Sequence, residues 1–162
     1  MKAIFIDGAS LRHMLRVLGV KKCSHRALFS ILTERVGYAH VCGKPFYTVA
    51  PGYYELAINL EFAGFETVIV QSAGEEDDKL IKKKIEEIGP DSISELVLVS
   101  ADGGFEQCVW KKAAQGVEIY IVATRLIDPK NGRPMISYRL LKDHKRFHFV
   151  ELADFKQLLL FR

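Results

Sequence analysis

The chain is poor in what would tie it to a membrane or an oxidising compartment. Its cysteines, Cys23, Cys42 and Cys108, are three in number and follow none of the CxxC or Cys/His spacings of zinc and redox motifs. Reduced thiols that mostly pack are expected. No apolar run nears the roughly 18 residues a bilayer span needs, and residues 1–6 lead straight into Asp7 without the charged and apolar blocks of a signal segment. The expectation is a cytoplasmic protein with no membrane partner. Repeats and low-complexity tracts are absent, and the five histidines show no ligand spacing. Charge of neither sign dominates: 23 Lys and Arg against 20 Asp and Glu leave +3, which permits a nucleic-acid partner without demanding one. What remains is ordinary globular composition, 49% hydrophobic and 27% charged, over 162 residues. That length suits one domain, residues 1–162, able to bury about two thirds of its unfolded surface.

Short apolar runs alternate with helical patterns along the chain. Ala3-Ile4-Phe5-Ile6 ends at Asp7-Gly8, and Leu11, Met14, Leu15 and Leu18 then recur at helical spacing. A second helix is expected over residues 24–35, capped by Ser24 and followed by Gly37. Strands are expected at 46–50, 66–71, 96–99, 118–123 and 147–150. Helices are expected at 53–63, 78–88, 104–115 and 135–142, with a last one from Ala153, and residues 128–132 read as a turn. This alternation predicts an α/β fold, a three-layer α/β/α sandwich with a mainly parallel central sheet and right-handed crossovers.

In such sheets ligands gather at the carboxyl ends of the strands. Asp7 follows the first strand, Asp77 and Asp78 the third, and Asp102 the strand at 96–99, so the three loops should bring carboxylates together. Hard cations such as Mg2+ and Mn2+ take oxygen ligands and leave positions for substrate and water. The ordinary alternative for each aspartate is a helix N-cap. Capping does not require that three strand ends of one sheet finish in an aspartate.

Phe5-Ile6-Asp7-Gly8-Ala9-Ser10-Leu11 resembles the FIDGxNL opening motif of the NYN branch of the PIN-like nucleases, and Val99-Ser100-Ala101-Asp102-Gly103-Gly104-Phe105 is similar to their SGDxDF motif. The family's middle acidic position maps to Asp78, with Leu80 and Ile81 on the apolar positions; Asp77 is the other register. Residues 137–155, with Ser137, Leu140, Leu141, Ala153, Asp154 and Phe155, are similar to the closing stretch. The resemblance implies a PIN-like, Rossmann-like fold and a metal-dependent hydrolase, an endoribonuclease cutting single-stranded RNA, with Asp7, Asp78 and Asp102 as catalytic Mg2+ or Mn2+ ligands. Two positions depart from it. Gly104 stands where the second motif offers another aspartate, and Ser10 where the first offers asparagine; Glu106, one helical turn after Asp102, is a candidate substitute ligand, with a solvated helix face as its ordinary alternative.

Phosphate contacts supply most nucleic-acid affinity. Arg12, Lys44, Arg125, Lys130 and Arg133 are candidate substrate contacts, together with Ser10, while Tyr53 is a candidate stacking platform. Residues 82–84, three lysines, read as a solvated helix face beside Glu86 and Glu87. Two alternatives accompany the ribonuclease: a non-catalytic RNA-binding or regulatory module that has lost a ligand, and a PIN-like DNA nuclease sharing the metal site. Apolar helix faces leave room for a homodimer.

Overall fold

The computed structural model describes residues 1–72 and 75–161, Glu75 in its backbone alone. The strands are β1 (Lys2–Ile6), β2 (Phe46–Val49), β3 (Glu66–Ile69), β4 (Glu95–Val99), β5 (Glu118–Ala123), the short hairpin partners β6 (Ile127–Asp128) and β7 (Arg133–Pro134), and β8 (Phe147–Glu151). Six of them form one parallel sheet in the order β3-β2-β1-β4-β5-β8. β1 and β4 are buried at every residue, which explains their unbroken apolar runs; the edge strands β3 and β8 are only partly covered.

The helices are α1 (Gly8–Leu18), α2 (His25–Ser30), α3 (Tyr54–Ala63), α4 (Glu75–Glu87), α5 (Glu106–Ala114) and α6 (Lys156–Leu159). α1, α2 and α3 surround one cavity on one face of the sheet, and α4 and α5 pack together on the other, so the chain is a three-layer α/β/α sandwich. α1 buries Leu11, Met14 and Leu18 against the sheet and ends at Gly19, in the left-handed conformation at φ 78°. Among the described residues no helix is long and apolar enough to cross a membrane.

Two elements differ from expectation in a way that bears on the site. α4 begins at Glu75, so Asp78 lies within its first turn instead of opening it. The helix expected at 135–142 is reduced to a 3-10 turn, Tyr138–Leu140. The reason lies in the backbone donors of Met135, Ile136 and Ser137, which bond to the carbonyls of Leu126, Thr124 and Ala101 and hold this segment extended along the carboxyl edge. α3 leaves Tyr54, Ile58 and Phe62 exposed at intervals of four residues, an apolar stripe facing away from the sheet.

Candidate metal centre

The order of the sheet reverses between β1 and β4, the point at which parallel α/β sheets open a crevice. Asp7 follows β1 and Asp102 follows β4, so the two flank that crevice. Asp7 N–H donates to the Val99 carbonyl at 3.0 Å, which locks the two strand ends together. α4 delivers Asp78 from above. One carboxylate oxygen from each of Asp7, Asp78 and Asp102 lies within 4.8 Å of the others.

Each carboxylate is held by its own loop. Asp7 is 2% exposed and caps α1, accepting from Ser10 N–H at 3.2 Å and from the Ser100 hydroxyl at 3.0 Å. Ser100 Oγ in turn accepts from Asp102 N–H at 3.1 Å, and Asp102 accepts from Gly104 N–H at 2.8 Å. Capping and clustering therefore coexist: the same turn that satisfies a helix start aims the carboxylate at its neighbours.

Burial pushes the Asp7 carboxyl up to about 6; the hydrogen bonds from Ser10 and Ser100 pull it back, and the charges of Asp77 and Asp102 push it further. Asp78 is raised to about 8, first by burial and then by a hydrogen bond to Asp102 and the charges of Asp7 and Asp102. Asp102 is held below the usual carboxylate range by that same hydrogen bond, with Gly104 N–H and Lys82 assisting against burial. Asp78 and Asp102 thus form a pair that holds a proton more readily than isolated carboxylates do, with Asp78 the more easily protonated of the two.

The sign of the resulting stability effect follows from linkage. A carboxyl raised in the folded state stabilises below its unfolded pKa of about 4, and that stabilisation is lost as pH rises through the folded value. For buried Asp7, from 3.8 to about 6, the loss amounts to roughly 3 kcal/mol. The melting temperature in EDTA is expected to fall from about pH 4 upward, through about pH 6 as Asp7 ionises and on to about pH 8 as Asp78 does, and millimolar Mn2+ is expected to restore most of the drop; a flat profile in EDTA would count against the cluster.

The other candidate residues separate into those at this edge and those elsewhere. Glu106 pairs with Lys142 at 2.9 Å and does not join the cluster, so as a fourth ligand it is corrected to an ion-pair partner. Asp77, 1% exposed, is not among the three clustered carboxylates, although its charge acts on Asp7; it lies by Ala9 N–H and the Thr48 hydroxyl without hydrogen-bonding geometry, leaving both its oxygens unpartnered. Ser10 Oγ is spent accepting from Ala101 N–H at 2.9 Å, stitching α1 to the loop after β4. Lys44 precedes β2 at the amino edge, the wrong end of the sheet, and is withdrawn as a contact of this centre. Arg12 lies with its guanidinium 5.4 Å from the Tyr53 ring centre. Arg125 follows β5, with its guanidinium 4.2 Å from the Phe149 ring. Lys130, in the β6–β7 turn, is close enough for its charge to act on His13 of α1, so the hairpin leans across the edge, with Arg133 on β7.

Sequence reasoning missed two participants. Lys82 draws both Asp78 and Asp102 toward ionisation, and a Cβ on Gly104 would come within 3.5 Å of its ammonium. The available signal was its position four residues after Asp78 on one helix. Ser100 stood inside a quoted motif with no role assigned; its hydroxyl joins Asp7 to the loop carrying Asp102.

Three carboxylates with no imidazole or thiolate among them form a hard oxygen donor set, and their mutual repulsion is what a divalent cation would relieve; the residues fit Mg2+ or Mn2+. No family model matches the chain, and no curated protein does. Among solved structures, the crystal structure of a protein of unknown function from Vibrio parahaemolyticus is similar at TM-score 0.69 and 17% identity, covering 94% of this chain and 93% of that one. That likeness concerns the fold alone.

Proposed function

We propose that this chain is a divalent-metal-dependent ribonuclease of the NYN branch of the PIN-like nucleases, working in the cytoplasm on single-stranded RNA. The observation that carries the reading is the convergence of Asp7, Asp78 and Asp102 at the switch point of the sheet. Mg2+ or Mn2+ held there would supply an activated water and offset charge on the attacked phosphate. Ser10 N–H and the Ser100 hydroxyl orient Asp7, and Gly104 N–H orients Asp102. Lys82 adds a cation beside the carboxylates that would be available to a bound phosphate. Arg125, Lys130 and Arg133 lie on loops of the same edge, where a strand passing the aspartates would meet them.

A second reading has its own support. Gly104 offers no carboxylate and Glu106 is engaged with Lys142, so an RNA-binding module with weakened metal affinity is the alternative. Labelled single-stranded RNA and DNA incubated with Mn2+, Mg2+ or EDTA separate the readings. Metal-dependent cutting of RNA, lost in Asp7→Asn, is the expected result; cutting of DNA alone would move the substrate class. Binding without cutting in any metal would sink the nuclease and leave the module.

A further inference from the structure

A cavity of about 510 Å³ opens beside the aspartates, between α1, α3 and the start of α2. Its wall begins at Gly8 and Ala9, directly after Asp7, and its floor is apolar, with Leu15, Val20 and Leu56. The volume lies within the range of small-ligand sites, roughly 300–1,000 Å³. Arg12, Arg16 and Lys21 line it, and among the described residues no carboxylate does. Asp77 sits within electrostatic reach of Arg12 but outside the wall, so it offsets one of the three cations. Two buried nitrogens on the wall, Arg12 Nε and His25 Nδ1, have no hydrogen-bond partner. Buried polar atoms left unpaired call for a partner, and here both belong to side chains that line the cavity. Tyr53, half-exposed with the Arg12 guanidinium over it, offers a flat aromatic face.

An occupant must therefore be anionic at one end and flat and apolar at the other. We propose that this cavity binds one nucleotide unit, its base against the apolar floor and Tyr53 and its phosphate held by Arg12, Arg16 and Lys21. The proposal deepens the nuclease reading and rests on it for the polymer source: a nucleotide seated here would fix the register of the strand beside Asp7.

The test is methyl NMR on the full chain in EDTA, titrated with nucleoside monophosphates, a short single-stranded RNA and inorganic phosphate. Saturable shifts at Leu15, Val20 and Leu56 are expected with nucleotides below about 1 mM, and phosphate alone should bind at least about tenfold more weakly. Arg16→Glu, at an exposed position, should weaken nucleotide binding by about tenfold, and Leu56→Trp, which fills the floor, should abolish it. RNA moving the same methyls identifies a unit of a strand; mononucleotide alone identifies a free nucleotide. Three results would overturn the proposal: no shifts at these methyls, shifts that phosphate reproduces, or unchanged binding by Arg16→Glu. Metal is absent throughout, so the two readings fail separately. A chain that cuts RNA without these shifts loses the cavity and keeps the nuclease, whereas nucleotide binding by a chain that cuts nothing does the reverse.

Discussion

Asp78→Asn is expected to abolish metal-dependent cleavage and, with metal removed, to make the chain more stable above neutral pH. The two halves share one cause. Asp78 is raised to about 8 because burial and two neighbouring carboxylates oppose its ionisation. Asparagine keeps the shape and can offer an N–H toward Asp102, but it never takes on the charge. In EDTA near pH 8 the gain should be about 1 kcal/mol once solvent screening of this half-buried group is allowed for. The same substitution removes a hard ligand that the other two aspartates cannot replace, so cleavage should fall on the order of 10²–10³-fold or more. Melting curves with and without Mn2+, run beside the cleavage assay, read both. A purely structural Asp78 would give the opposite pattern, a destabilised chain with no change in its response to metal.

Strand ends were legible because β1 and β4 are buried on both faces and their apolar runs stop where the sheet stops; the aspartates that follow are fixed by topology. Asp78 was legible through the apolar phase of Leu80 and Ile81, although α4 starts at Glu75, three residues before the expected start at Asp78. Glu106 was misleading, since one turn of separation from Asp102 says nothing about Lys142, 36 positions on, which captures it. Lys82 was hidden by its neighbours, because three consecutive lysines look uniform although a helix turns each in a different direction.

The segment after β5 was misread for a different reason. Its residues carry a helical pattern, yet Met135, Ile136 and Ser137 spend their N–H groups on carbonyls of distant loops. Such bonds depend on the assembled edge and leave no local trace, a case of tertiary context overriding propensity. The cavity beside α1 was equally invisible, since its cations come from one helix and the loop behind it while its floor comes from three elements.

Gly8→Ala should damage the chain more than any substitution on its surface. A Cβ at Gly8 would overlap the carbonyl oxygen of Thr48 and stand 3.1 Å from the Tyr47 ring. Thr48 cannot retreat: it lies in β2, fully buried, and its hydroxyl accepts from Gly8 N–H at 3.0 Å. Backbone must move, and the element free to do so is the first turn of α1, which carries Asp7 as its cap. The expected cost is about 3 kcal/mol or more, from overpacking against a rigid neighbour. A displacement of the Asp7 carboxylate by about 1 Å should lower cleavage a further 10²-fold in whatever protein remains folded. Gly104→Ala is the matched control, since its added Cβ would meet only the Asp102 carboxylate at 3.2 Å and the Lys82 ammonium at 3.5 Å, both ends of side chains that can shift. Denaturant melts of the two variants at one pH decide the matter: a large loss for position 8 with a small one for position 104 is expected. Equal losses would mean that the close approach of α1 to β2 is not what this glycine secures.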